Sequence, residues 1–203
     1  LRLRTSGKSN VEAAKDWGAK VGSYAPGSPM ALSIDPGLDP GVTAITALTY
    51  SQNEMRVVDA EKHADFTQME QILDLIEAYT IRYRPQDVVV ETVAFQRALE
   101  RDERLQALGK KYGFRTHPHN TNRNKIDPVM GVAAMAGSFI REEIKFPWGN
   151  PVAEARMGPY LAELHAWRPN VPTKLLTQDF AMTLWFAWLF ILNKRHTMGM
   201  DTS

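Results

Sequence analysis

The apolar positions along this chain change period several times, and each change predicts an element. Ala31 to Ile34 is a short apolar run that ends at Asp35 and reads as a strand. The turn DPGLDPG follows, and VTAITALTY, residues 42–50, reads as a second strand. SQNE is a hairpin-type loop, and MRVVDA, residues 55–60, completes an antiparallel meander. From 63 to 83 the period becomes helical, with Phe66, Met69, Ile72, Leu73, Ile76, Tyr79 and Tyr83 on one face. DVVVET, residues 87–92, is short and continuously apolar, the pattern of a strand covered on both sides. A polar helix is predicted from about Ala94 to Tyr112, closed by Gly113, and FRTHP supplies a fifth short strand.

Asp127 and Pro128 suit the N-cap and first turn of a helix of small residues that runs to about Ile140. EEIKFP reads as an edge strand, and PYLAELHAW, residues 159–167, as a short helix. The last helix is predicted from near Gln178 to about Asn193. This order predicts an α/β fold: a mixed sheet of five to six strands, an antiparallel three-strand meander plus parallel strands, flanked by helices. Residues 1–29 are polar, end in SYAPGSP and read as a linker or arm; 30–195 form the domain, and 196–203 a tail.

Composition narrows the classes. A chain of 203 residues and 22.9 kDa fits one domain. It contains no cysteine, which excludes disulfides, thiolate metal sites and a cysteine nucleophile. The longest apolar run, Phe180–Leu192, has thirteen residues, short of the ~20 that cross a bilayer. No signal peptide opens the chain, which begins LRLRTSGKSN without Met, as a piece of a longer protein would. GKS at Gly7–Ser9 is not a phosphate loop, because Arg2 stands where the first glycine is required and no strand precedes it.

The net charge of +1 hides an asymmetry. Residues 30–96 carry eleven acids and four Lys or Arg, whereas 97–125 carry three acids and eight cations: Arg97, Arg101, Arg104, Lys110, Lys111, Arg115, Arg123 and Lys125. An acidic block beside a basic one is what a metal site next to a polyanion track requires, and also what a solvated helix face produces.

Three acids stand out. Asp35 ends the first buried strand, Glu91 ends the fourth, and Asp179 begins a strongly apolar helix. Carboxylates at the ends of neighbouring buried strands repel one another and are costly to desolvate; a divalent cation is the usual compensation. Mg²⁺ and Mn²⁺ prefer oxygen ligands, and two such ions about 4 Å apart can clamp an in-line phosphoryl displacement. In that scheme Asp35 is the shared ligand, and Glu91 and Asp179 each complete one shell. Each acid also has a plainer reading. Asp35 and Asp39 both precede Pro-Gly and suit a turn, Glu91 suits a strand-end surface charge, and Asp179 suits a helix N-terminus. Asp59 is a further acid, expected at the end of the third strand. His117 and His119 read as phosphate or solvent contacts, and Trp185 and Trp188 as core or a docking face.

These residues also carry a resemblance. ALSIDPGLDPGVTAI, VVVETVAFQRAL, Asn124–Lys125, EEIKFP and YLAELHAW…TQDFAMTLWFAW resemble the C-terminal nuclease domain of the large terminase subunit of tailed phages, over residues from about 30 to 193. The resemblance implies an RNase H-like fold and a Mg²⁺- or Mn²⁺-dependent endonuclease that cuts concatemeric double-stranded DNA in the host cytoplasm. It implies as partners the terminase ATPase domain, the portal ring and the small subunit. It matches Asp35, Glu91 and Asp179 to the acids of strand one, strand four and the late helix, and Lys125 to a basic residue. Many members carry two adjacent acids at the late helix; here Gln178 replaces the first, and Met182 replaces an acid one turn on. DNA is expected on Arg97, Arg101, Arg104, Lys110, Lys111, Arg123 and Lys125. The absence of a phosphate loop leaves no ATPase expected in this chain. DPG after the first strand also resembles RuvC-type junction resolvases. A non-catalytic module that docks on the portal or small subunit is the third reading.

Overall fold

The computed structural model describes residues 27–38, 40–91, 102–121, 123–149, 151–168 and 177–200. Strands β1 (Met30–Asp35), β2 (Thr43–Tyr50), β3 (Met55–His63), β4 (Asp87–Glu91), β5 (Arg115–His119) and β6 (Ile144–Lys145) form one mixed sheet in the order β5-β4-β1-β2-β3-β6. β1, β2 and β3 are antiparallel neighbours, while β4 runs parallel to β1, β5 to β4 and β6 to β3. Among the described residues there are five α-helices: α1 (Met69–Tyr83), α2 (Glu103–Tyr112), α3 (Met135–Ile140), α4 (Pro151–Ala166) and α5 (Asp179–Met200). The expected RNase H-like α/β sheet is present, with EEIKFP as its edge strand.

Strand periodicity divides the core into two layers. Met30, Leu32 and Ile34 of β1 and Val88 and Val90 of β4 pack with Ile72, Ile76 and Tyr83 of α1 and with Leu105 and Leu108 of α2. The alternate residues Ala31, Ala44 and Val89 face the opposite layer, built on α5 and α4. Because the period is two, Asp35, Asp87 and Glu91 fall on the α5 side as well. α5 is enclosed from Phe180 to Leu189. Its one hydroxyl in that stretch, Thr183, bonds the Thr46 Oγ1 of β2 at 2.8 Å and donates to the Phe180 carbonyl at 2.9 Å. Trp185 is fully buried and donates its Nε1–H to the Met130 carbonyl at 2.8 Å. Trp185 and Trp188 are therefore core.

The far end of α5 is fixed by charge. The fully buried Asp87 accepts from Lys194 Nζ at 2.5 Å and Tyr50 Oη at 2.8 Å, and its other oxygen lies 2.7 Å from His117 Nε2. Burial alone would raise the Asp87 pKa, but bonds from His117, Lys194 and Tyr50 outweigh it and hold the carboxyl well below the usual range. His117 is thus a structural partner rather than a phosphate or solvent contact. His119 packs on Phe186 and Trp185, with ring centroids 4.4 and 4.9 Å apart, and burial pulls its pKa down to about 4.

Several boundaries differ from expectation, each for a local reason. α2 begins at Glu103 because Asp102 caps it, accepting from the backbone N–H of Arg104 at 2.8 Å and Leu105 at 3.3 Å. The expected helix start near Ala94 lies outside the described residues. The segment after Asp127 is not a continuous helix. The Asp127 carboxylate accepts from Val129 N at 2.7 Å and Met130 N at 2.8 Å, but Gly131 then turns extended, and only a 3₁₀ turn (Val132–Ala134) and the short α3 follow. Gly131 is required there, since a Cβ would collide with the Asp127 and Lys125 backbones. α4 starts at Pro151 rather than near 159, with Pro159 inside it, and α5 runs on to Met200. β3 extends to His63, so Asp59 lies inside the strand rather than at its end. Asp59 is fully buried and taken up by Tyr83 Oη, Arg156 Nη1 at 2.7 Å and Arg82 Nη1 at 3.5 Å.

Trp185→Ala should cost roughly 3–5 kcal/mol, because it opens a large cavity in the core and removes the indole donor from the Met130 carbonyl. Urea denaturation should show the midpoint falling with the slope unchanged.

Candidate functional site

The strand register assembles the site. Ile34 of β1 is level with Val90 of β4, so one step further places Asp35 beside Glu91 at the carboxyl ends of two parallel strands. On the other side Asp35 is level with Ala44 of β2, and Ala44 with Lys62 of β3. Glu91, Asp35, Ala44 and Lys62 thus form one row across four strands, on the face that α5 covers. The first turn of α5 carries Asp179 over this row. Glu91 and Asp179 both come within electrostatic reach of Asp35.

Their interaction is visible in Asp35. Its residue surface is only half-buried, yet the carboxyl itself is closely surrounded. That enclosure is the first cause raising its pKa well above the ordinary value; the charge of Glu91, a hydrogen bond with Glu91 and the charge of Asp179 add to it, and Lys62 opposes. Burial and the neighbouring acids thus hold the Asp35 carboxyl toward its neutral form, hydrogen-bonded to Glu91.

Two further groups belong to the site. Lys62 Nζ bonds Asp179 Oδ2 at 2.9 Å and Glu163 Oε2, and it lies 4.5 Å above the Phe180 ring. Glu163, on α4, is only 6% exposed, and its other oxygen accepts the Ala181 backbone N–H of α5 at 3.0 Å. A carboxylate from one helix thus satisfies a free N–H in the first turn of another, where the helix dipole favours negative charge. Neither residue was singled out from sequence. Lys62 falls beyond the predicted end of the third strand. The signal for Glu163 was its place between Leu161 and Leu164 on the apolar side of a helix.

The donor chemistry fits a hard divalent cation: the acids offer oxygen only, and the crowding of negative charge around the Asp35 carboxyl is what a cation would compensate. Among the described residues, no three His, Asp or Glu side chains converge into a ready-made metal cage. Asp35 and Glu91 form a pair, while Asp179 is engaged by Lys62.

The basic residues are more dispersed. Arg97, Arg101 and Asp39 lie outside the described residues. Arg104 bonds Asp74 and Glu77, and Lys111 bonds Glu77 at 3.1 Å, so both tie α2 to α1. Lys110 and Lys111 end α2, which leads into Arg115 beside Asp87, at the opposite end of β4 from Glu91. Arg123 and Lys125 lie in a 3₁₀ turn (Arg123–Ile126), with Lys125 half-buried. No helix among the described residues is long and apolar enough to cross a membrane.

No protein-family profile matches the chain, and no curated protein does. Solved structures do. The large terminase nuclease from thermophilic phage G20c with bound magnesium is similar at a TM-score of 0.58 and 14% identity, over 81% of this chain and 82% of that one. The large terminase nuclease domain of bacteriophage SPP1 with bound Mn is similar at 0.52 and 11%, over 93% and 94%. The fowlpox virus resolvase in complex with substrate Holliday junction DNA is similar at 0.50 and 14%, over 80% and 99%. At these identities the likeness speaks for the fold, which is the one the sequence resemblance implied.

The raised pKa of Asp35 has a stability consequence. The folded chain keeps a proton that the unfolded chain has already lost, so without metal this group's contribution is complete below about pH 4 and is lost as pH rises through the folded value. In EDTA, Asp35→Asn should therefore melt higher than the parent at neutral pH, and the gap should close toward pH 4. Thermal melts across pH check this.

Proposed function

We propose that this chain is a divalent-cation-dependent DNA endonuclease, the nuclease domain of a viral DNA-packaging terminase large subunit. One observation carries the reading: the β1–β4 register sets Asp35 beside Glu91 at the carboxyl ends of adjacent parallel strands, with Asp179 at the start of α5 within electrostatic reach of Asp35. The reading is supported by a fold shared with terminase nucleases whose structures hold magnesium and Mn.

Asp35 and Glu91 would hold the cation, with Asp179 near it at the α5 N-terminus. Bound there, Mg²⁺ or Mn²⁺ supplies Lewis acidity toward a phosphoryl oxygen and lowers the pKa of an attacking water. The chain's own groups do the rest. Asp35 and Glu91 would offer their oxygens to the cation from adjacent strand ends. Lys62 and the α5 N-terminus keep the acids fixed and add positive potential where a phosphodiester would lie. Backbone phosphates would run over the cations of 97–125, those free of ion pairs with α1 contributing most. No described element is shaped for base readout in a groove, so cutting would depend weakly on sequence. The substrate in this reading is concatemeric double-stranded DNA in the host cytoplasm, delivered by an ATPase domain, with the portal ring and small subunit as further partners.

Supercoiled plasmid should be nicked or cut with Mn²⁺ or Mg²⁺ and remain intact in EDTA. Asp35→Ala should slow this by about 10³ or more, corresponding to roughly 4 kcal/mol of barrier. Full activity of that variant would sink the proposed centre. A four-way DNA junction in a parallel lane separates the resolvase reading, since strong preference for the junction over plasmid would favour a resolvase over packaging.

A further inference from the structure

The acid centre already contains a cation of its own. Lys62 stands near the end of the β2–β3 pairing, and its lateral neighbour is the small Ala44. The ammonium ends between Glu163 and Asp179, two carboxylates from different helices, over the face of Phe180. The Lys62 side chain is 22% exposed, Asp179 24% and Glu163 4%, so this is a largely enclosed pair of ion pairs rather than a surface contact. Glu163 is also held by the Ala181 N–H at 3.0 Å, so its remaining oxygen points at the ammonium with little freedom to turn away.

We propose that Lys62 serves as one of two cations in this centre: it occupies the Glu163–Asp179 side, and the site takes a single divalent ion on the Asp35–Glu91 side. This rests on the endonuclease reading above and specifies its metal content.

The physical argument is competition. A hydrated divalent ion dehydrates reluctantly. To bind between Glu163 and Asp179 it must displace an ammonium tethered to the same sheet, whose effective concentration far exceeds that of metal in solution. Asp35 and Glu91 stand side by side at the carboxyl ends of β1 and β4, while the Lys62 ammonium is paired with the other two acids. Two pairs of carboxylates lie near the start of α5: Asp35 with Glu91, and Glu163 with Asp179 across Lys62. One lysine and one divalent ion nearly balance them, whereas a second divalent ion would be pressed against Lys62. Lys62 is a positioning residue in this scheme. It fixes Asp179 and Glu163 and sets the ion count.

The test is the number of Mn²⁺ ions bound by the whole chain without DNA. MnCl₂ titration calorimetry gives stoichiometry, and electron paramagnetic resonance reports whether two Mn²⁺ are close enough to couple. The parent should bind one ion with an uncoupled spectrum. Lys62→Ala should bind two with a coupled spectrum, and Lys62→Arg should keep one. Lys62→Gln preserves length without charge and should also bind two, which covers the case in which the alanine variant fails to fold. Two ions in the parent would overturn the proposal and leave the endonuclease reading standing. One ion in both neutral variants would also overturn it. No Mn²⁺ bound by the parent would overturn the proposal and the endonuclease reading together.

Discussion

The structure depends on how α5 is seated on the sheet. A helix buried on nearly every side has no solvent-facing stripe to orient it, so its rotation and axial position must come from specific polar contacts. Asp87 supplies one at the far end, held by Lys194, Tyr50 and His117. The Thr183–Thr46 bond and the Trp185 indole fix the middle. Lys62 and Glu163 fix the near end through Asp179 and the Ala181 N–H. Asp179 and Lys194 are fifteen residues apart, roughly 22 Å along a helix, so a slip at one end would be felt at the other. A buried, multiply bonded carboxylate such as Asp87 resists that slip, because pulling one partner away leaves a charge in a dry environment.

The same seating gives the site its electrostatics. The carboxyl ends of β1 and β4 bring two acids side by side, α5 brings a third with its helix dipole, and α4 brings a fourth. Left alone, this concentration of negative charge would destabilise the fold. Two devices moderate it: burial and the neighbouring acids shift Asp35 toward its neutral form, and Lys62 bridges Asp179 and Glu163.

The layers away from the site follow ordinary rules. β1 and β4 alternate between the α1/α2 layer and the α5 layer, and small residues occur where helices approach closely, as at Ala31, Ala44 and Ala181. The buried acid of β3, Asp59, is matched by Tyr83, Arg82 and Arg156, which lock α1 and α4 to the open edge of the sheet. Its partners leave it a structural role, although its residue type and strand position resemble those of the site acids.

What the sequence determined by itself was local or periodic. The strand meander, the apolar fourth strand, the buried last helix and the placement of Asp35, Glu91 and Asp179 at element ends all follow from runs and turn chemistry spanning a few residues. Where two local signals competed, the tertiary structure decided. Asp127 caps a turn, but the crowded backbone at Gly131 stops the helix that Asp127–Pro128 predicts. His117 read as a phosphate or solvent contact, but the packing of β5 on β4 brings its Nε2 within 2.7 Å of the Asp87 carboxylate. Lys62 and Glu163 lie 101 residues apart and meet only because β3 and α4 converge on the start of α5. Ion pairs of that kind leave no pattern in the chain, because the charges that satisfy each other belong to different elements and their pairing is set by packing.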